Sequence, residues 1–285
     1  MSTPTMSTPT MPQSSAAQAQ ADTAVPADRQ FVTALARGLQ VLRCFRSGEE
    51  RLGNQQLAER CQLPKSTVTR LTHTLTLTGY LQQDAASGRY RLGMAALGIG
   101  GSTLARLEIK SRSRPLMQAL AERTGLQIAL GLRDDLAMLY VETCRGGSIL
   151  TLLLDVGSRI PLAVTAMGRA CLAGMAAPAR RELSTRLQAL DPANWPAIEV
   201  GILQAQADLA EHGCCCSFSD WKPEIHGIAV PLALGHGLPG GNGLQDMVLS
   251  AAGPALTRTA ASYMADVRPQ LLSLVQDLRQ ALAAG

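Results

Sequence analysis

The sequence predicts an α+β protein, with a small helical domain followed by a larger domain of strands and helices. A short helical segment at 55–61 precedes a three-residue break and a second helical segment beginning at Pro64, which is the layout of a helix-turn-helix. A hairpin pattern follows, and from Pro115 strand-like runs alternate with amphipathic helices. The 285 residues are enough to bury two separate cores.

Charge is concentrated in one part of the chain. Residues 1–27 are rich in Ser, Thr, Pro, Ala and Gln and are predicted to be a disordered tail. Residues 28–93 carry ten Lys or Arg and five Asp or Glu, a net charge of +5, whereas residues 94–285 carry sixteen of each. The positive charge therefore lies on the domain with the helix-turn-helix, as a polyanionic partner would favour.

The first predicted helix, residues 32–45, repeats apolar side chains at helical spacing, so one of its faces should be buried. That face carries Leu35, Leu39, Leu42 and Phe45. Asn54 is predicted to cap the second helix, because its side-chain oxygen can accept from the N–H groups left free at a helix start.

The next helix has the features of one that enters the major groove of DNA. Pro64 cannot continue the preceding helix and suits the start of a new one. Short hydroxyl side chains, Arg70 and His73 fall on its outer side, where they could reach phosphates and base edges. The side chains that should face inward are Val68, Leu71 and Leu75.

A β-hairpin is predicted over residues 80–93, after a helix stop at Gly79. At this position a hairpin is the wing of a winged helix, and Arg89 and Arg91 would share one face of its second strand. We therefore expect double-stranded DNA as the partner, bound as a pseudo-palindromic operator by two copies. The candidate DNA-binding residues are Asn54, Lys65, Ser66, Thr67, Thr69, Arg70, His73, Arg89 and Arg91.

Residues 94–114 form a predicted linker helix that contains three glycines and is too apolar to lie free in water. Because the domains on either side have their own cores, its apolar side chains are expected to pack against a second copy. This predicts a homodimer or a dimer of dimers. The side chains concerned are Leu97, Ile99, Leu104 and Leu107.

Residues 115–285 are predicted to form one antiparallel sheet with helices packed against it. Strands are expected at 126–133, 136–142, 149–155, 214–218, 225–234 and 246–252. Helices are expected at 116–123, 165–174, 177–190, 200–211 and 257–283. The Gly-rich run 235–243 lacks the Lys-Ser/Thr of a phosphate-binding loop and is interpreted as a hairpin connection.

Several segments, in order along the chain, resemble the IclR family of bacterial transcription regulators. The most specific are residues 34–42, 63–71, 79–80, 89–93, 156–162, 165–170, 228–231 and 250–254. The resemblance implies a winged helix-turn-helix domain, a dimerising linker helix and a C-terminal GAF-like α/β effector-binding domain. It also implies a pocket for a small organic acid, between the sheet and the segment after the Gly157-Ser158-Arg159 turn.

Carried over by position, the pocket would include Thr165, Ala166, Met167, Ser217, Gly227, Ser250 and Ala252. Gly168 belongs to the same helix start, whose free N–H groups and positive dipole end would hold a carboxylate. Where family members commonly have an acidic cluster, this chain has Cys214-Cys215-Cys216-Ser217-Phe218. A less acidic pocket with Phe218 nearby favours an aromatic carboxylate or its catabolite, and hence control of a catabolic operon.

Other functional classes are less well supported. The seven cysteines are odd in number, which favours a reduced, cytoplasmic protein, and no apolar run has the length of a membrane span. The four histidines and Cys171 match no local catalytic signature, so neither an enzyme nor a cofactor is predicted. Two alternatives remain: a ligand-independent DNA-binding regulator, and a metal or thiol sensor that uses Cys214–Cys216. On a strand, however, Cys214 and Cys216 would face away from Cys215.

Overall fold

The protein is described here from a computed structural model that covers residues 30–45, 51–105, 108–147, 154–232 and 247–283. The predicted tail, Leu107, most of the predicted strand 149–155 and the Gly-rich run 235–243 lie outside these residues.

The N-terminal unit is a three-helix domain with a two-stranded hairpin, as predicted. Its helices are α1 (Thr33–Arg43), α2 (Asn54–Cys61) and α3 (Lys65–Leu77), and its strands are β1 (Leu81–Gln83) and β2 (Tyr90–Leu92). Gly79 has a φ of 78°, a left-handed conformation that suits glycine and ends α3. The unit has its own core, which includes Val41, Leu57, Val68, Leu81 and Tyr90.

The prediction for the buried face of α1 was correct only for the second half of the helix. Leu42 and Phe45 pack against the core, whereas Leu35 and Leu39 are 61% and 52% exposed and Val41 is fully buried. Helical spacing shows which side chains share a face, but it does not show which of two apolar faces packs against the rest of the domain.

The structure describes two helices in the region of the predicted linker, α4 (Met94–Ala105) and α5 (Glu108–Thr124). Pro115 lies inside α5, so the prediction that a new helix starts at Leu116 was wrong. The helix ends at Thr124, one residue beyond the predicted 123, and Gly125 follows with a φ of 71°. Helix α5 therefore continues across the expected boundary between linker and C-terminal domain.

The C-terminal unit contains one six-stranded sheet in the order β5-β4-β3-β8-β7-β6, and all neighbouring strands are antiparallel, as predicted. The strands are β3 (Gln127–Asp134), β4 (Ala137–Arg145), β5 (Arg159–Pro161), β6 (Cys215–Phe218), β7 (Ile225–Pro231) and β8 (Val248–Pro254). Strand β5 was not predicted, and its first residue, Arg159, was expected to end a turn. Leu154 and Asp155, at the end of the predicted strand 149–155, do not form a strand.

The remaining helices are α6 (Ala166–Gly174), α7 (Ala177–Leu190), α8 (Trp195–His212), α9 (Ala260–Ser262) and α10 (Arg268–Ala283), with a π-helical turn at Tyr263–Val267. Helix α8 begins before the predicted Val200, because Pro196 is tolerated in the first turn of a helix. Helices α5 and α10 pack on one face of the sheet, and α6 and α8 pack on the other. Among the described helices, none combines the length and apolarity that a bilayer span requires.

Candidate functional site

Helix α3 presents a polar face to solvent. Val68 is fully buried, while Arg70 and His73 are exposed. The other predicted outward residues are Lys65, Ser66 and Thr69, which are exposed, and Thr67, which is half-buried. This face carries two basic side chains, several hydroxyl groups and no carboxylate, so it has the chemistry to contact phosphates and base edges.

Asn54 does not cap α2, as the sequence had suggested. It is the first residue of the helix, Gly53 is the cap residue, and the Gly53 N–H donates to Oε1 of Gln56 at 2.9 Å. The Asn54 side chain instead connects the two helices, because its Nδ2 donates to Thr69 Oγ1 at 2.8 Å. Asn54 therefore positions the outer face of α3 and is not a helix cap.

Thr72 was not identified from the sequence. It is fully buried, and its hydroxyl donates to the carbonyl oxygen of Val68 at 3.0 Å and approaches Oδ1 of Asn54 at 3.4 Å. A buried hydroxyl needs such partners, since leaving it unpaired is costly. Its position four residues after Val68 was the available signal, but one threonine among five in the same helix does not stand out.

The hairpin turn is held by Asp84, which also forms an ion pair with Arg51. Its Oδ1 accepts from the backbone N–H of Ser87 at 3.0 Å and of Ala86 at 2.9 Å. These contacts, the Ser87 N–H first, lower the pKa of the Asp84 carboxyl. The wing therefore has an ordered turn, which fixes the position of Arg89 beside it.

The two wing arginines differ in their contacts. Arg91 donates from Nη2 to Oε1 of Gln82 at 2.8 Å across the hairpin, whereas Arg89 is exposed just before β2 begins. Arg89 is therefore the more available of the two for a phosphate.

The start of α6 is the centre of the predicted effector pocket. Thr165 is 4% exposed and caps this helix, accepting from the Gly168 N–H at 3.1 Å and donating to the carbonyl oxygen of Pro161 at 2.7 Å. A side chain at Gly168 would collide with the Leu162 carbonyl, so this close approach requires glycine.

The sheet beneath α6 consists of small residues. A Cβ placed on Gly227 would lie 3.6 Å from the Cβ of Ala166 and 3.5 Å from the Cβ of Ala252. Met167 fills the space that a side chain at Gly131 would occupy. The structure thus brings Ala166, Gly227 and Ala252 together, as the resemblance implied.

Two serines complete this surface. Ser217 donates to the carbonyl oxygen of Val164 at 2.8 Å, just before the helix cap. Ser250 approaches the carbonyl oxygen of Ala129 at 3.5 Å and forms a hydrogen bond with Tyr140, whose phenol pKa is raised by burial. Both serines face α6, and Tyr140 is a polar group at this surface that the sequence had not suggested.

Phe218 does not belong to this surface, which corrects the prediction. It packs on the α10 face of the sheet, with ring centroids 5.2 Å from His226 and 5.9 Å from Tyr263. Neighbouring residues on a strand point to opposite faces, so Ser217 and Phe218 could not both line one pocket. Trp221 packs on the α6 side instead.

The three adjacent cysteines also point in different directions. Cys214 and Cys216 pack on the α10 face, whereas Cys215 lies on the α8 side, 3.1 Å from the carbonyl oxygen of Ala205. Burial raises the pKa of the Cys215 thiol to about 12. Within the described part of the chain, no group of three His, Cys, Asp or Glu side chains is arranged to hold a metal ion.

Comparison with known proteins agrees with this architecture. Residues 34–85 match the IclR helix-turn-helix domain, and residues 101–232 match the C-terminal domain of bacterial IclR transcriptional regulators. The HTH-type transcriptional regulator TsaQ1/TsaQ2 of Comamonas testosteroni is 34% identical over 257 residues, which cover 89% of this chain and 90% of that protein.

Solved structures give the same result. An IclR family transcriptional regulator from Brucella abortus has 40% identity and a TM-score of 0.77, with 89% of this chain and 94% of that chain covered. An IclR homologue from Microbacterium hydrocarbonoxydans, solved in complex with 4-hydroxybenzoate, shares the fold at 22% identity and a TM-score of 0.63, covering 87% of this chain and 100% of that chain. Both domains are therefore matched in order, and the chain belongs to the IclR family of DNA-binding transcription regulators, which are not enzymes.

Proposed function

We propose that the protein is a dimeric regulator that binds a pseudo-palindromic operator and responds to a small organic acid, an aromatic carboxylate or its catabolite, to control a catabolic operon. Residues 28–93 bind DNA, 94–114 dimerise and 115–285 bind the effector. The acid lies at the start of α6. The observation that carries this proposal is the capped helix start above a sheet surface of small residues and two serines.

In this proposal the exposed face of α3 enters the major groove and Arg89 contacts the backbone. Two copies are needed to occupy two half-sites. Leu97 and Ile99 are 62% and 59% exposed in the single chain, which supports dimerisation through the linker. Leu104, which was also predicted to face a second copy, instead packs against the core of its own C-terminal unit.

The acid's carboxylate would lie near the backbone N–H groups of residues 166 and 167, beside Ser217, because the N–H of Gly168 already donates to Thr165. Effector binding changes DNA binding only if the acid binds one arrangement of the two DNA-binding domains more tightly than another. The 4-hydroxybenzoate bound by the Microbacterium homologue makes that acid a suitable first probe.

The proposal is tested by fluorescence anisotropy of a labelled operator, measured with full-length protein and increasing 4-hydroxybenzoate, benzoate and short keto acids. A shift in operator affinity with at least one acid, abolished by Thr165→Val, is the expected result. Thr185→Val, the same change at an exposed position of α7, is the matched control. Operator affinity that no acid changes would favour the ligand-independent regulator, and light scattering that gives a monomer would contradict dimerisation.

The thiol-sensor alternative predicts a different outcome in the same assay. Because Cys215 faces away from its two neighbours, a sensor would have to use Cys214 and Cys216. Loss of operator binding on treatment with a mild oxidant, prevented by Cys216→Ser, would support it.

A further inference from the structure

Gln127 lies at the end of a row of small residues on the α6 face of the sheet. In the strand register Gln127 is opposite Ala252, Ala252 is opposite Gly227, and Gly227 is opposite Ser217. Ala252 remains partly exposed although β8 lies in the middle of the sheet. The described residues therefore leave part of the sheet surface uncovered between Gln127 and the start of α6.

The Gln127 side chain is 92% buried and has one unused hydrogen-bonding atom. Its Nε2 donates to Thr143 Oγ1 at 2.8 Å and to the carbonyl oxygen of Leu154 at 2.5 Å. A carbonyl oxygen only accepts, so these contacts fix the orientation of the amide. No described residue donates to Oε1, and an unpaired buried acceptor is costly.

Arg145 supplies a complementary atom at the same place. Its Nη2 donates to the same Leu154 carbonyl oxygen at 3.2 Å and to Oδ1 of Asp155 at 2.7 Å. Its Nε is buried and has no acceptor among the described residues. An unused acceptor and an unused donor therefore lie on two side chains that meet at one carbonyl oxygen.

We infer that Gln127 and Arg145 form the distal end of the effector pocket and select an acid that carries a hydroxyl group opposite its carboxylate. The hydroxyl donates to Gln127 Oε1 and accepts from Arg145 Nε. A second carboxylate would be repelled by Oε1, and an ether or a hydrogen atom cannot donate to it. This inference rests on the proposed acid site at the start of α6.

The dimensions agree with an aromatic acid. The start of α6 lies above Gly227, two strands from Gln127, which corresponds to about 10 Å between backbones. That separation is on the scale of one aromatic ring with substituents at opposite ends.

The test is calorimetric titration of the full-length protein with 4-hydroxybenzoate, benzoate and 4-methoxybenzoate. The wild-type protein should bind 4-hydroxybenzoate about 10-fold or more tightly than the other two, because a site built for a hydroxyl rejects analogues that lack it. In Gln127→Leu this preference should fall to within about threefold, while benzoate affinity changes little. Gln270→Leu, the same change on α10 at the other face of the sheet, should keep the preference.

Each outcome bears on a distinct claim. Equal binding of the three acids to wild-type protein overturns the selection by Gln127 and leaves the acid site intact. A Gln127→Leu variant that loses all three acids equally assigns Gln127 a structural role only and also overturns it. Binding of no acid overturns the proposed function and, with it, this inference. If the leucine variant does not fold, Gln127→Met is measured instead, and the comparison of ligands on wild-type protein needs no variant.

Discussion

Arg114 of α5 and Glu142 of β4 form an ion pair, with 2.7 Å between Nη1 and Oε1. The Glu142 side chain is 2% exposed, and Lys110 is its second cationic neighbour, at 3.7 Å. The same Oε1 accepts from the backbone N–H of Thr143, the residue whose hydroxyl accepts from Gln127. A continuous set of contacts therefore joins the α6 face of the sheet to the helix that leads toward the DNA-binding domain.

The first prediction concerns this pair. Arg114→Ala should lower the free energy of unfolding by about 1.5–3 kcal/mol, because a buried carboxylate loses its closest charged partner. Arg123→Ala, on the same helix, removes only an exposed hydrogen bond to Gln270. It should change the free energy of unfolding by less than about 0.5 kcal/mol. Urea unfolding followed by circular dichroism measures the unfolding free energy of both variants. If both lose the same amount, the ion pair of Arg114 with Glu142 does not contribute specifically to stability.

The second prediction concerns the outer face of α3. Arg70→Ala should weaken operator binding by about 1–3 kcal/mol and reduce discrimination between operator and unrelated DNA, if its guanidinium contacts a guanine. Arg181→Ala removes an exposed arginine from α7 of the C-terminal unit and is the matched control. An unchanged titration in a gel-shift assay would mean that another face of α3 binds the operator.

The third prediction separates the two wing arginines. Arg89→Ala should weaken operator and non-specific DNA about equally and reduce the slope of log K against log salt by ~1, as expected for one lost phosphate contact. Arg91→Ala should have a smaller effect, because Gln82 already engages that guanidinium. The reverse order in a salt titration would assign the backbone contact to Arg91.

The fourth prediction concerns the connection between α2 and α3. Thr72→Val keeps the shape of the side chain and removes a buried hydroxyl, so we expect a loss of about 0.5–1.5 kcal/mol in unfolding free energy. Asn54→Ala should weaken operator binding more than stability, since Asn54 holds the exposed Thr69. Thermal unfolding and anisotropy, measured together, distinguish these effects, and the opposite pattern would contradict the positioning role of Asn54.

Much of the fold was predictable because its signals are local. Residues 177–190 were predicted as a helix and form α7 with those bounds. The predictions were wrong where tertiary packing, and not the local sequence, determines which residues are buried or where a helix begins. Leu35 and Leu39 have the right spacing for a core face, but Val41 occupies the core instead. Pro115 suggested a helix start, yet a long helix tolerates it.

The site was less predictable than the fold. Family positions pointed to Thr165, Gly227 and Ser250, which lie on one surface at the start of α6. Ser217 and Phe218 are neighbours on a strand and point to opposite faces, so only Ser217 lies on that surface. Gln127 has no sequence signature, because its partners Thr143 and Leu154 lie 16 and 27 residues away. Only the contacts in the folded protein show that Oε1 of Gln127 accepts no hydrogen bond from a described residue.

Helix α5 is anchored near both of its ends. Its 17 residues form a rod about 25 Å long, and the core of the C-terminal unit contains Ile109 near its start as well as Met117 and Leu120 in its second half. Because a close-packed core transmits strain, a displacement of the sheet moves this helix along its whole length as a rigid body. The start of α5 therefore moves together with the sheet and not independently of it.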